Sequence, residues 1–336
     1  MRAGGCRLTI GNGPRMIRAV ARQRLSAVFA ERYGPQAVRK LEALADIIVL
    51  DDPDAASLRA ALADADALLV RTYTPVTAEL LESAARLKVV GRGGAGLDNV
   101  DLDAARRRGI QVVYTPQAAT EAVADLTVGL LLAVARHIVA ADAGVRAGRF
   151  FETREQCAGR ELSELTLGII GLGRIGRAVA CRCQVGFGMT ILYNDIEPVG
   201  PLDFPARSVA KEELYAASDV VSLHVPLTDA TRRLLNDHTL AQFRRGALLI
   251  NTARGGVVDS VALAVALTTG QLGAAALDVV DPEPLPAGHP LLGAPRAVFT
   301  PHIGARTVRA LSGMNDVVDD VIRVLRGEAP RYPAWT

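Results

Sequence analysis

Short apolar runs separated by longer stretches of helical spacing recur along the whole chain. Residues 16–21, 47–50, 68–70, 88–91 and 111–113 read as strands, with helices expected over 22–45, 55–64, 77–85 and 101–108. Strands that alternate with helices predict a parallel sheet covered on both faces. Past Thr115 and Pro116 the pattern predicts one long helix over 120–143. It is apolar over so much of its surface that it must be buried on several sides, between domains or against another subunit. A second series of six strands follows, at 167 onward, 191–193, 220–223, 247–250, 275–277 and 297–300. A last helix is expected over 308–325, with apolar residues at 311, 314, 317, 318, 321, 322 and 325 forming one stripe that has to dock. The first sheet has an open face for it, and Gly327 ends it. The expected fold class is α/β, with two doubly wound parallel-sheet domains, flavodoxin-like and Rossmann-type, around a hinged cleft. Residues 1–116 and 304–336 form one domain and 117–303 the other, with chain crossings near 116 and 303.

Composition changes this picture little. Half of the 336 residues are apolar, 4% are aromatic and the net charge is +2, so no basic footprint for nucleic acid is expected. No uninterrupted apolar run is long enough to predict a membrane span. The N-terminal residues lack the apolar core of a signal peptide, and 1–14 carry no functional weight, so a cytoplasmic protein is expected. Cys6, Cys157, Cys181 and Cys183 have no metal or redox spacing and read as thiols in a reducing compartment, and no metal site is expected. His137, His238 and His289 read as structural or surface residues.

The sharpest chemical signal is T-L-G-I-I-G-L-G-R-I-G at 166–176, a buried strand turning through glycines into a helix. Gly171 permits the turn, Gly173 lets backbone approach a pyrophosphate, and Gly176 lets the helix lie close on its strand. Asp195 follows at the end of the next apolar run, placed to accept ribose hydroxyls and repel a 2′-phosphate. The expected cofactor is NAD.

Ligands of open parallel sheets bind outside the carboxyl ends of the strands. Three residues stand just after strands: Arg254, Glu283 in D-P-E-P-L, and His302 in T-P-H. Around them run G-R-G-G-A-G-L-D-N-V-D at 91–101, G-L-G-R-I-G at 171–176, H-V-P-L-T at 224–228, N-T-A-R-G-G-V-V-D at 251–259, L-D-V-V-D-P-E-P at 277–284 and T-P-H-I-G-A at 300–305. In these six runs the chain resembles the D-isomer-specific 2-hydroxyacid dehydrogenase family, over almost its whole length.

The resemblance implies hydride transfer between NAD(H) and a small D-2-hydroxy or 2-oxo acid, with Arg254, Glu283 and His302 catalytic. Each type also suits the chemistry unaided: imidazole as the proton-transfer group, carboxylate to fix its tautomer, guanidinium to grip the substrate carboxylate. It further implies cofactor contacts at Gly171, Gly173, Arg174, Ile175, Gly176, Asp195, His224, Val225, Pro226, Thr252, Ala253, Arg254, Asp278, His302 and Gly304. On the other wall the Gly93 and Gly94 amides resemble the family's carboxylate cradle, and Arg71 and Arg92 match arginines that hold phosphate in phosphoglycerate-type members. The substrate alternatives are a phosphorylated acid of that type and an unphosphorylated one such as hydroxypyruvate or glyoxylate. A non-catalytic, NAD-sensing relative of the corepressors is the reading from another class. With the last residue at Thr336, no C-terminal regulatory domain of the long phosphoglycerate enzymes is expected. A homodimer is expected from the apolar helix and from the resemblance.

Overall fold

The computed structural model describes residues 24–50 and 53–335. The strand expected at 16–21 lies outside them. Five parallel strands, β1 (Leu25–Phe29), β2 (Ala45–Val49), β3 (Ala67–Val70), β4 (Val89–Arg92) and β5 (Gln111–Tyr114), form the first sheet in the order β2-β1-β3-β4-β5. Helices α1 (Pro35–Glu42), α2 (Ala55–Leu62), α3 (Ala78–Ser83) and α4 (Leu102–Arg107) connect them. Every residue of β3 and β4 is buried, as the inner strands of a sheet covered on both faces must be.

The span 22–45 is not one helix. Leu25–Phe29 is a strand, and α1 starts only at Pro35, behind Gly34. Ala27, Val28 and Phe29 are fully buried, and so short an apolar run has no period that separates strand from helix.

Between the sheets run α5 (Thr120–Ala135), α6 (Ile138–Arg146) and α7 (Phe150–Gln156). The single helix expected over 120–143 is therefore two, bent by 60° at His137, whose φ of 55° is left-handed. Neither glycine nor proline marks the break in the sequence.

The second sheet holds seven parallel strands in the order β12-β11-β10-β9-β6-β7-β8. They are β6 (Thr166–Ile170), β7 (Thr190–Asn194), β8 (Arg207–Ser208), β9 (Val220–Leu223), β10 (Ala247–Asn251), β11 (Leu272–Leu277) and β12 (Ala297–Phe299). The strand beyond the six expected is β8, two exposed residues that pair with Leu192 and Tyr193 at the edge. Helices α8 (Arg174–Cys181), α9 (Lys211–Ala217), α10 (Asp237–Leu240) and α11 (Ser260–Thr268) complete this layer. The order reverses between β6 and β9, which opens the crevice where such sheets take ligands. Leu130, Leu131 and Val134 of α5 pack into the same core as Ile169, Ile250 and Ala276, so the apolar surface of α5 is satisfied within the chain.

The final stripe also divides, into α12 (Val308–Asn315) and α13 (Val317–Leu325), meeting at Asp316. Val317, Val318 and Val321 pack against Phe29, Leu69, Val89 and Val113, closing the open face of the first sheet as expected. Gly327 ends the helix at φ 79°. Cysteines 157, 181 and 183 are free, and burial pushes the Cys183 thiol up to about 12.

Candidate active site

At the carboxyl end of β10 the Asn251 side chain accepts from the Ala253 N–H at 3.0 Å and donates to the Arg254 carbonyl at 2.9 Å. This folds the turn that carries Arg254. Gly255 follows, where a Cβ would lie 1.9 Å from the Val280 carbonyl, so no side chain fits. One strand over, past β11, Asp278 is 2% exposed. Its carboxylate accepts from Thr300 Oγ1 at 2.6 Å, the Ile303 N–H at 2.9 Å and the Gly304 N–H at 2.8 Å. Asp278 and Gly304, implied as cofactor contacts, thus spend those groups on the turn that holds His302. The His302 N–H itself donates to the Asp278 carbonyl at 2.9 Å.

Glu283 meets His302 Nδ1 at 3.0 and 3.1 Å. A carboxylate there places the proton on Nδ1 and leaves Nε2 as the nitrogen facing a ligand.

The glycine motif is built as its residues demand. Gly171 has φ 90° and a Cβ on it would meet the His224 carbonyl at 2.7 Å, while a Cβ on Gly176 would lie 2.1 Å from the Gly171 carbonyl. A Cβ on Gly173 would meet nothing within 4 Å, and this residue caps α8, whose first residues are Arg174 and Ile175. The middle glycine alone faces open space, which suits an approaching pyrophosphate. Asp195, after β7, accepts from the Leu172 N–H at 2.6 Å and the Glu197 N–H at 3.0 Å, tying its carboxylate to the glycine loop.

After β9 come His224, Val225 and Pro226. His224 Nε2 lies 2.9 Å from Ser222 Oγ, and its Nδ1 is buried without a partner. Burial pushes this imidazole down to about 3, so it is neutral. Thr252 Oγ1 bonds Thr127 Oγ1 of α5 at 2.8 Å. Open space at Gly173, an orphaned ring nitrogen at His224 and an acid at the end of β7 are a set of groups that NAD fits.

The first sheet supplies the facing wall. Arg92, at the end of β4, is 5% exposed, and its Nε finds no acceptor. Burial first, and then the charge of Arg254, lower its pKa to about 10. Gly94 has φ 147° and a Cβ there would fall 1.6 Å from Arg92 Nη1. The Gly93 N–H is spent on the Val70 carbonyl at 2.9 Å and the Tyr33 hydroxyl at 3.2 Å, so it is not free to cradle an anion.

Arg71 and Arg92, which the resemblance implies hold phosphate, have different neighbours here. Arg71 stacks 4.6 Å above the Tyr33 ring, with Nη2 donating to Asn315 Oδ1 at 2.8 Å and Nη1 at 3.4 Å from Met314 Sδ. Arg92 instead is electrostatically coupled to Arg254.

Three residues outside the sequence expectations shape this wall. Glu31 accepts from the backbone N–H groups of Arg71, Thr72, Tyr73 and Thr74 at 2.8, 3.2, 3.3 and 3.1 Å. Asn99 ties the same loop from its carbonyl side, donating to Arg71 and Thr74. The loop so held points the Tyr73 ring edge-on to His302, centroids 6.2 Å apart. Asp98 reaches across the cleft to Arg254. Asp98 lay within a recognised run of the sequence, whereas Glu31 sat in a segment read as helix and left no signal.

Residues 128–304 match the profile described as D-isomer specific 2-hydroxyacid dehydrogenase, NAD binding domain. The chain is 42% identical over 299 residues to D-3-phosphoglycerate dehydrogenase of Methanocaldococcus jannaschii, covering 87% of this chain and 56% of that one. It therefore spans little more than half the length of that relative. With glyoxylate reductase of Thermofilum pendens it shares 39% identity over 314 residues, 90% of this chain and 92% of the other. The structure superposes with TM-score 0.84 on the D-lactate dehydrogenase of Aquifex aeolicus complexed with NAD and lactic acid, at 29% identity over 90% of this chain and 96% of that one. The chain belongs to the D-isomer specific 2-hydroxyacid dehydrogenase family, and its second sheet is the family's NAD-binding domain.

Because His224 is held neutral, its folded pKa lies below the unfolded value of 6.5. The unfolded chain then binds the extra proton as pH falls, so this contribution is complete above about pH 6.5 and is lost toward the folded pKa. In urea unfolding across that window, His224→Gln is expected to flatten the pH dependence of stability, by at most about 1.4 kcal/mol per pH unit. Parallel curves for the two proteins would show that the imidazole is not buried neutral.

Proposed function

We propose that this chain is an NAD-dependent oxidoreductase interconverting a small D-2-hydroxy acid and its 2-oxo acid. The observation that carries the reading is the Glu283 to His302 contact, which leaves Nε2 as the free nitrogen; Arg254, Glu283 and His302 follow β10, β11 and β12, three consecutive strands of the sheet. Bound NAD supplies the hydride acceptor or donor for C2 of the substrate. His302 Nε2 gives the proton to the carbonyl oxygen in reduction and takes it from the hydroxyl in oxidation, and Glu283 stabilises the imidazolium on the far side. Arg254 and the unpaired Arg92 hold the substrate carboxylate. Gly171, Gly173, Arg174, Ile175, Gly176, Asp195, His224, Val225, Pro226, Thr252 and Ala253 surround the cofactor. Residues 1–116 with 304–336 form the substrate-binding domain and 117–303 the NAD-binding domain, a division supported by α13 packing on the first sheet.

The relatives named above divide between phosphorylated and unphosphorylated acids, and so does this wall. Arg92 serves the carboxylate common to both. Arg71 borders a cavity of about 900 Å³ with Tyr73, Arg306 and Asn315, which supports a role for it toward a distal phosphate.

The enzyme is further proposed to be a cytoplasmic homodimer. Its three described thiols are free, and Ile138, Val139 and Val145 of α6 with Phe150 and Phe151 of α7 leave half or more of their surface exposed. Such a patch favours a second copy. Phe151→Asp is expected to shift the sedimenting species from dimer to monomer, and a monomeric parent protein would remove the proposal.

The activity is tested by NADH oxidation with glyoxylate, hydroxypyruvate and phosphohydroxypyruvate. His302→Gln should lower kcat on the order of 10²-fold or more with NADH binding nearly intact. Near-normal turnover of that variant would end the assignment.

Arg71→Met should raise KM for phosphohydroxypyruvate by about 10- to 100-fold, the worth of one charge-assisted contact, and leave glyoxylate unaffected. Equal effects on both substrates would mean that Arg71 serves only the fold, through Asn315.

A further inference from the structure

The Asp98 carboxylate stands on the loop after β4, and the guanidinium it meets belongs to the turn after β10. Arg254 Nε donates to Asp98 Oδ1 at 2.9 Å and Oδ2 at 3.1 Å, and Nη2 lies 2.9 Å from Oδ1. Nη1 donates to the Ala253 carbonyl at 2.7 Å. The Nε edge of the guanidinium is thus filled by Asp98, and the N–H groups left over lie along its outer edge, Nη1 and Nη2. A side chain at residue 96 would forbid this seat, because a Cβ on Gly96 would fall 1.8 Å from Arg254 Nη2.

We propose that Asp98 is a positioning residue that turns the outer fork of Arg254 toward the substrate carboxylate, so that the fork is set only when the two domains meet. The inference rests on the reading of Arg254 as the carboxylate ligand. It follows from geometry and from charge balance. Arg92 and Arg254 face one another closely enough to depress the Arg92 pKa, and Arg92 is almost fully buried with no carboxylate of its own. Burial alone would raise the Asp98 pKa, but the hydrogen bonds and charge of Arg254, with the charge of Arg92, hold it below the usual carboxylate range. Two guanidiniums and one carboxylate leave one net positive charge, which matches a single substrate carboxylate. Without Asp98, like charges would push the Arg254 fork away from Arg92 and leave its inner edge to water.

The test uses oxamate, a carboxylate-bearing analogue that is not reduced, titrated against the enzyme–NADH complex of the parent, Asp98→Asn, Asp98→Ala and Arg254→Met proteins. The Asp98 variants are expected to bind oxamate about 10- to 100-fold more weakly, the loss typical of a misplaced ligand group, and to raise KM for glyoxylate in parallel. Their affinity for NADH should be unchanged, which a purely structural role would not preserve. Oxamate binding as tight as in the parent, or tighter, would overturn the proposal, the latter by showing that Asp98 competes with substrate for Arg254. Joint loss of NADH and oxamate binding would overturn it too, by assigning Asp98 to the fold. Arg254→Met separates the two levels: if it keeps oxamate affinity, the reading of Arg254 fails, and if it alone loses affinity, only the role of Asp98 fails.

Discussion

The buried carboxylate of Asp278 is the constraint on which the candidate site depends. It accepts from two backbone donors and one hydroxyl of the 300–304 turn, and hydrogen bonds to a charged group contribute roughly 1.5–3 kcal/mol each. The same turn holds His302 at φ 52°, a conformation that a non-glycine residue adopts only where its surroundings impose it. Glu283 then meets Nδ1, which leaves Nε2 free.

Charge is arranged by a different rule on the facing wall. The second domain buries a carboxylate under donors, whereas the first buries a guanidinium without an acceptor. Such a group is costly in the free protein, and an anion bound beside it recovers the missing interaction. Asp98 keeps this wall from becoming too positive, since it neutralises the neighbouring Arg254 without touching Arg92 through any hydrogen bond. The cleft is therefore selective by sign even before shape is considered. Its two cross-cleft contacts, Asp98 with Arg254 and Tyr73 with His302, also mean that each domain helps to orient a group carried by the other.

Much of this was legible in the sequence, and the division between what was and what was not has a physical basis. Gly171, Gly173 and Gly176 announced themselves because they recur at the fixed spacing of one strand-to-helix turn. Arg254, Glu283 and His302 stand out as candidates in the sequence because they follow strands, and the ends of parallel strands converge by topology. Glu31 was hidden for the opposite reason. Its four donors lie some forty residues away, on a loop that only the pairing of β1 with β3 brings beside it. The breaks at His137 and Asp316 were hidden as well, because neither carries a glycine or proline and the helical period runs on through both. Arg71 shows a subtler limit: its loop was correctly placed, but its side-chain direction is set by Asn315, on a helix that reaches the first domain from the far end of the chain.

These two kinds of legibility map onto two kinds of chemistry. Hydride and proton transfer need a local constellation, and local constellations leave motifs. Under the proposed function, substrate choice falls to a wall assembled from β1, the loops after β3 and β4, and α12, whose members meet only in three dimensions. A sequence can therefore declare its reaction while leaving its substrate open. Tyr73 illustrates the point: an exposed aromatic in a polar loop has no meaning by position alone, yet here its ring meets the imidazole edge-on and lines the cavity that Arg71 and Arg306 border. Under the proposed function, the part of the substrate beyond C2 meets this ring, and its size and charge are read by residues outside the Arg254, Glu283 and His302 set.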